Sequence, residues 1–156
     1  MSLEKTRAYF KKWNMEDRIL EFDESSATVE LAAHAVGCEA KRIAKTLSFM
    51  VDEKPILIVV AGDARIDNKK YRKQFKAKAN MIKADRVFDL IGYEVGGVCP
   101  FEVNENVVVY LDKSLKRFET VFPACGSSKS AVELSIDELE KHSGSKSWVD
   151  VCKEWR

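Results

Sequence analysis

Six consecutive apolar residues, Ile56-Leu57-Ile58-Val59-Val60-Ala61, constrain this chain more than any other segment. The run is β-branched, far too short to span a bilayer, and preceded by the turn-like Asp52-Glu53-Lys54-Pro55. It therefore predicts a central strand buried on both faces. Just before that turn, Leu47, Phe49 and Val51 alternate with Thr46, Ser48 and Met50, the pattern of a half-buried strand over 46–51. Val107–Leu111 and Glu119–Phe122 read as further strands, and 18–22, 80–83 and 149–151 as short or edge ones.

Helical spacing fills the intervals. Leu3, Phe10 and Trp13 predict an amphipathic helix over 3–13. Thr28 is placed to cap a helix whose Val29, Ala32, Ala33 and Val36 fall at i, i+3, i+4 and i+7, and Gly37 sits at its end. A short turn is expected over 39–43, a basic helix over 68–76 with Tyr71 and Phe75 inward, and a helix capped by Asp85 that buries Val87, Leu90 and Ile91. Ser135-Ile136-Asp137-Glu138 matches a capping box, with Leu134 and Leu139 spaced as a hydrophobic staple, and that helix should stop between His142 and Gly144. Strands and helices interleave without a regular βαβ beat, so the expected class is a single α+β domain with a mixed sheet.

At 156 residues the chain is long enough to close a core, and 46% hydrophobic with 33% charged residues is an ordinary globular balance. Met1 to Trp13 lacks the apolar stretch of a secretory signal. The cysteines, Cys38, Cys99, Cys125 and Cys152, form no C-x-x-C pair, which argues against a disulfide scaffold or a zinc ribbon and points to a reducing, cytoplasmic home. With two histidines in the chain, neither a metal nor a cofactor is expected, and no dinucleotide or P-loop fingerprint occurs.

The net charge of +1 conceals an asymmetry. Residues 37–86 carry 13 Lys/Arg against 6 Asp/Glu, and Lys69, Lys70, Arg72, Lys73, Lys76 and Lys78 crowd ten positions. Such a patch suits a polyanion such as RNA, although a solvated helix face has the same pattern.

Three places are suited to chemistry. Lys45, between the turn at Ile43–Ala44 and the following strand, could present its ammonium to a cleft, or simply snorkel to water. Gly96-Gly97-Val98-Cys99-Pro100 offers backbone amides unobstructed by side chains, as an oxyanion hole requires, or a plain hairpin turn. Pro123-Ala124-Cys125-Gly126-Ser127-Ser128-Lys129-Ser130, with five small residues in a row between two strands, is a loop of the kind that folds around a ligand, and equally one that merely joins strands.

Taken together, Ile43-Ala44-Lys45-Thr46-Leu47, Gly92-Tyr93-Glu94-Val95-Gly96-Gly97-Val98-Cys99-Pro100-Phe101 and Gly126-Ser127 followed by Ala131-Val132-Glu133-Leu134-Ser135 resemble the YbaK/prolyl-tRNA synthetase-associated aminoacyl-tRNA deacylase family, from about Thr28 to Leu139. The resemblance implies a mixed, barrel-like sheet flanked by helices, and hydrolysis of mischarged aminoacyl-tRNA. It puts catalysis on Lys45, Gly96 and Gly97, and substrate binding on Val98, Cys99, Pro100, Gly126 and Ser127. Its partners would be the acceptor end of mischarged tRNA and an aminoacyl-tRNA synthetase, with no membrane or DNA. In that light Lys69, Lys70, Arg72, Lys73 and Lys76 become tRNA contacts. Two departures bear on substrate choice: Cys99 where the family often has serine, and Ala131 where some members carry aspartate. Two rival readings remain open here, a non-catalytic sensor of aminoacyl-tRNA and thiol chemistry at Cys99 or Cys125.

Overall fold

The computed structural model describes residues 2–155. Its helices are α1 (Ser2–Lys11), α2 (Val29–Val36), α3 (Asn68–Phe75), α4 (Ala84–Ile91) and α5 (Ile136–Ser143). Its strands are β1 (Ile19–Glu21), β2 (Ile43–Val51), β3 (Lys54–Ala61), β4 (Arg65–Ile66), β5 (Val108–Asp112), β6 (Thr120–Pro123), β7 (Ser130–Val132), β8 (Leu134–Ser135), β9 (Ser147–Val149) and β10 (Cys152–Lys153).

The apolar run is the sheet's centre, as its composition requires. β3 is buried from Pro55 to Ala61 and lies third from one edge of a six-stranded sheet ordered β8-β6-β2-β3-β5-β9. β2 and β3 pair antiparallel from Ala44↔Ala61 to Val51↔Lys54, whereas β2–β6, β3–β5 and β5–β9 are parallel. The sheet is therefore mixed, flanked by helices, and α+β, as expected. Two small antiparallel pairs, β1–β7 and β4–β10, form separate two-stranded sheets.

Local signals and structure agree most closely at the helix ends. Thr28 accepts a hydrogen bond from Leu31 N at 3.2 Å, and Gly37 ends α2 in the left-handed region at φ 83°. The capping box at Ser135 and Glu138 is complete, with Leu134 and Leu139 both fully buried.

Boundaries differ where pairing outweighs local pattern. Ile43 and Ala44 are strand rather than turn, because they pair in parallel with Phe122 and Pro123 of β6. Lys45 is thus the third residue of β2, not a residue ahead of it. Asp85 lies inside the first turn of α4, whose cap position is Lys83. The segment at 80–83 makes one bridge, Met81↔Phe49, instead of a strand. The last sheet strand is Ser147–Val149, and Val151 falls between it and β10.

Among the described residues no helix is long and apolar enough to cross a membrane. The main core runs from Phe10 of α1 through Ile56–Ala61 of β3 to Leu139 of α5. A smaller cluster, Ala32, Ala33, Ile43 and Phe122, seats α2 on β2 and β6.

Candidate active site

That second cluster fixes where a cleft forms. Side chains alternate along a strand, so Ile43, Lys45 and Leu47 share the face of β2 on which α2 sits. α2 covers Ile43 and leaves an opening beside it. The result is a cavity of about 310 Å³ lined by Ser26–Val29, Ala32, Ile43–Leu47, Gly96, Val98, Phe122, Ala124, Ser130 and Ala131.

Lys45 is half-buried in this wall. Burial holds its ammonium below the usual lysine range, because desolvation disfavours the charged form. The nearby Arg65 pushes the same way, and the carboxylates of Asp63 and Glu30 pull partly back. Among the described residues no carboxylate lies within ion-pair distance of Lys45.

The glycine loop reaches the same cavity, but its residues divide the work. Gly96, at φ 93°, and Val98 line the cavity. Among the described residues the N–H of neither donates to a protein acceptor, whereas Gly97 N donates to Glu94 O at 3.0 Å. Gly97 is therefore not an oxyanion donor. It is needed instead for a close approach, since a Cβ there would stand 2.8 Å from Ser127 Cα and 2.9 Å from Gly126 O. No strands flank the loop, so it is not a hairpin.

Gly126 and Ser127 thus brace the glycine loop from behind rather than lining the cavity. The Ser127 hydroxyl is paired with that of Ser130 at 2.8 Å. The loop is tied in turn to the residues before α2: Ser128 O accepts from the N–H of Ser26 and, at 2.9 Å, from its hydroxyl. Pro100 is buried away from the cavity as well.

Cys99 and Cys125 are fully buried and do not line this cavity. Burial pushes the Cys99 thiol up to about 12 and the Cys125 thiol up to about 11. Thiols so far from ionisation are poor nucleophiles at neutral pH. The geometry argues against thiol chemistry and makes both cysteines core residues.

Sequence reasoning missed the wall contributed by Ser26–Val29 and Phe122, whereas Ala124 and Ser130 come from the small-residue loop at 123–130 that it singled out. The run Ser25-Ser26-Ala27 ahead of the Thr28 cap was the available signal, being small residues where a helix starts. Ala131, singled out for replacing an aspartate, does line the cavity, at 2% exposure. Among the described residues no three His, Cys, Asp or Glu side chains gather as a metal site.

The basic residues of α3 lie outside the cavity lining. Lys70 differs from the rest, because its Nζ donates to Asp150 at 3.2 Å and to Cys152 O at 3.0 Å.

Comparison with known proteins identifies the family and the fold. Residues 23–142 match the aminoacyl-tRNA editing domain family. YwhH of Bacillus subtilis (strain 168) is 54% identical over 156 residues, spanning 99% of each chain. EbsC of Enterococcus faecalis (strain ATCC 700802 / V583), a candidate Cys-tRNA(Pro)/Cys-tRNA(Cys) deacylase, is 25% identical over 120 residues, 76% of this chain and 73% of its own. A solved candidate trans-editing enzyme for prolyl tRNA synthetase superposes with a TM-score of 0.87 at 25% identity, covering 97% of both chains.

Proposed function

The chain belongs to the aminoacyl-tRNA editing domain family, and on that premise we propose that it is a hydrolase, acting in trans, that removes the amino acid from mischarged tRNA. The observation that carries the reading is the meeting of Lys45 with Gly96 and Val98, distant from it in sequence, around one cavity.

An aminoacyl ester is already activated, so the protein's task is to position it and to stabilise the oxyanion that forms. In this reading the Lys45 ammonium holds the terminal phosphate or adenosine end as a point charge. The ester carbonyl lies against the N–H groups of Gly96 and Val98. Water, assisted by the ribose 2′-hydroxyl, adds to the carbonyl carbon. The tetrahedral intermediate then collapses, the bond to the ribose 3′-oxygen breaks, and that oxygen takes up a proton. The freed amino acid leaves as its carboxylate.

The acyl group faces a wall of small and apolar residues: Ala32, Ala44, Ala124, Ala131, Val29 and Phe122. Such a wall suits a small uncharged side chain. A second pocket of this kind supplies discrimination that a synthetase cannot, since one methylene is worth about 1–3 kcal/mol in binding. The likeness to the solved candidate trans-editing enzyme supports prolyl-tRNA synthetase as the partner system, and a cytoplasmic setting follows from that role.

The test is deacylation of a panel of alanyl-, cysteinyl-, seryl- and threonyl-tRNAs by the wild type and by Lys45→Ala. Turnover of at least one ester, reduced by about 100-fold or more in the variant, is the expected result. A wild type inert toward every ester overturns the reading and leaves a sensor of aminoacyl-tRNA.

A further inference from the structure

We propose that the outer face of α3 docks the phosphate backbone of RNA through Lys69, Arg72, Lys73 and Lys76, while Lys70 turns inward as a structural lock. The inference rests on tRNA being the partner, but it concerns a surface outside the cavity.

Lys69, Arg72 and Lys73 fall at i, i+3 and i+4, so they share one face of the helix, and Lys76 follows them as its left-handed C-cap. All four are exposed. Among the described residues none of them lies within ion-pair distance of a carboxylate. Between residues 68 and 78 there is no acidic residue at all. Asp67, just ahead, gives its carboxylate to the helix start, accepting from Lys69 N at 2.9 Å and Lys70 N at 3.2 Å. Like charges three and four apart destabilise a helix, and an anionic partner removes that cost. The helix dipole favours Arg72 and Lys73 in the last turn, but among the described residues no carboxylate pairs with this face.

The opposite face fixes the helix rigidly. Tyr71 is fully buried, its ring 5.1 Å from that of Phe49, and Phe75 packs against Tyr110 at 5.1 Å. Lys70 binds Asp150 and Cys152 O, which clamps the last strand against the helix. A mobile basic tail would attract RNA without orienting it, whereas a stripe held this way sets a direction.

That direction leads to the cavity. Phe49 lies four residues along β2 from Lys45 and on the same face, about 13 Å away. Cys152, whose carbonyl holds Lys70, lies close to Lys45, as does Arg65 just ahead of α3. The start of α3 is thus the end nearer the cavity. A helical arm of tRNA lying along the stripe would bring its unpaired 3′ end toward Lys45.

The experiment measures binding of uncharged tRNA across a salt series, which needs no hydrolysis. It compares the wild type with a quadruple variant, Lys69→Ala, Arg72→Ala, Lys73→Ala and Lys76→Ala. Each lost phosphate contact lowers the slope of log affinity against log salt by about 0.7–0.9, so the slope should fall by about 3. Hydrolysis of a short aminoacyl-adenosine ester, which cannot reach α3, should stay within about twofold of wild type. Lys70→Ala is the contrast: a lower Tm with the salt slope retained. A quadruple variant that folds and binds tRNA with an unchanged slope overturns the proposal. So does equal loss on the short ester, or loss confined to an acidic protein partner. If the wild type hydrolyses nothing yet binds tRNA through the stripe, the deacylase reading fails and this one stands.

Discussion

Gly97 and Ser127 approach each other so closely that a side chain at position 97 has no room: its Cβ would stand 2.8 Å from Ser127 Cα and 2.9 Å from Ser127 N. The neighbour is backbone, which cannot rotate away. This one contact joins the two loops that flank the cavity, and it ties the position of Gly96 and Val98 to that of the loop at 126–130.

Gly97→Ala should therefore cost about 1–3 kcal/mol of stability through overpacking. It should also displace the Gly96 and Val98 amides and lower kcat for deacylation about 10- to 100-fold. Gly37→Ala supplies the comparison. A Cβ there meets nothing within 4 Å, but φ is 83°. Its cost of about 1 kcal/mol should appear as a Tm drop of about 2–4 °C without loss of activity. Thermal melts and single-turnover deacylation of the two variants measure the difference. Equal activity in both would remove the bracing role from Gly97.

Lys45 carries its charge where burial opposes it. Its folded-state pKa is depressed by burial, so the charged form is less favourable in the fold than in the open chain. Lys45→Met keeps the stem and discards the charge. The variant should melt higher than the wild type at pH 7 while losing deacylation. The gain should shrink as pH rises past the lysine range, where the unfolded chain also sheds the proton. A lower Tm would mean that the ammonium stabilises the fold instead.

The thiols give a simple reactivity test. Cys99, Cys125 and Cys152 are buried and Cys38 is only partly so. With the first two raised to about 12 and about 11, almost none is thiolate at pH 8. One equivalent of a thiol reagent should react with the folded protein and four after denaturation. Cys99→Ser should retain turnover if it folds. Rapid modification of a second thiol with loss of activity would revive thiol chemistry.

Acid should weaken the fold through His142. This residue is 4% exposed among the rings of Tyr9, Phe10 and Trp13, and its Nδ1 is buried without a hydrogen-bond partner. Desolvation, with Lys141 and Arg18 nearby, lowers its pKa despite Glu138. The unfolded chain then takes the proton first, so stability is full above about pH 6.5 and falls as pH drops below it, levelling once the folded form also protonates. Burial works against ionisation of the Glu138 and Asp63 carboxyls, but Ser135 N and Arg18 hold the first low and Arg117 the second, so both contribute losses at lower pH. Denaturant melts between pH 7.5 and 5.5 should show the slope for the wild type and a flatter one for His142→Phe. An unchanged slope in the variant would assign the effect elsewhere.

What the sequence determined was local and periodic. Six apolar residues in a row specify a strand with no exposed face, and β3 is that strand. Thr28, Gly37 and the Ser135–Glu138 box mark helix ends, because capping involves groups only a few residues apart. Lys45, Gly96 and Val98 likewise stand out in the sequence alone, through the order of their motifs.

Tertiary structure decided what those residues do. Periodicity reports which face of an element is apolar, not which elements meet, so the small run ahead of Thr28 marks a helix start without placing it at a cavity, and Phe122 reads only as a strand residue. Gly96 and Gly97 are alike in sequence and differ in role because Glu94 O takes one amide and Ser127 crowds one Cα. Lys70 and Lys69 are neighbours in a single basic run, yet one is drawn inward by Cys152 and Asp150, some eighty residues later. Such assignments depend on contacts between distant segments, and those exist only once sheet order and register have brought the segments together.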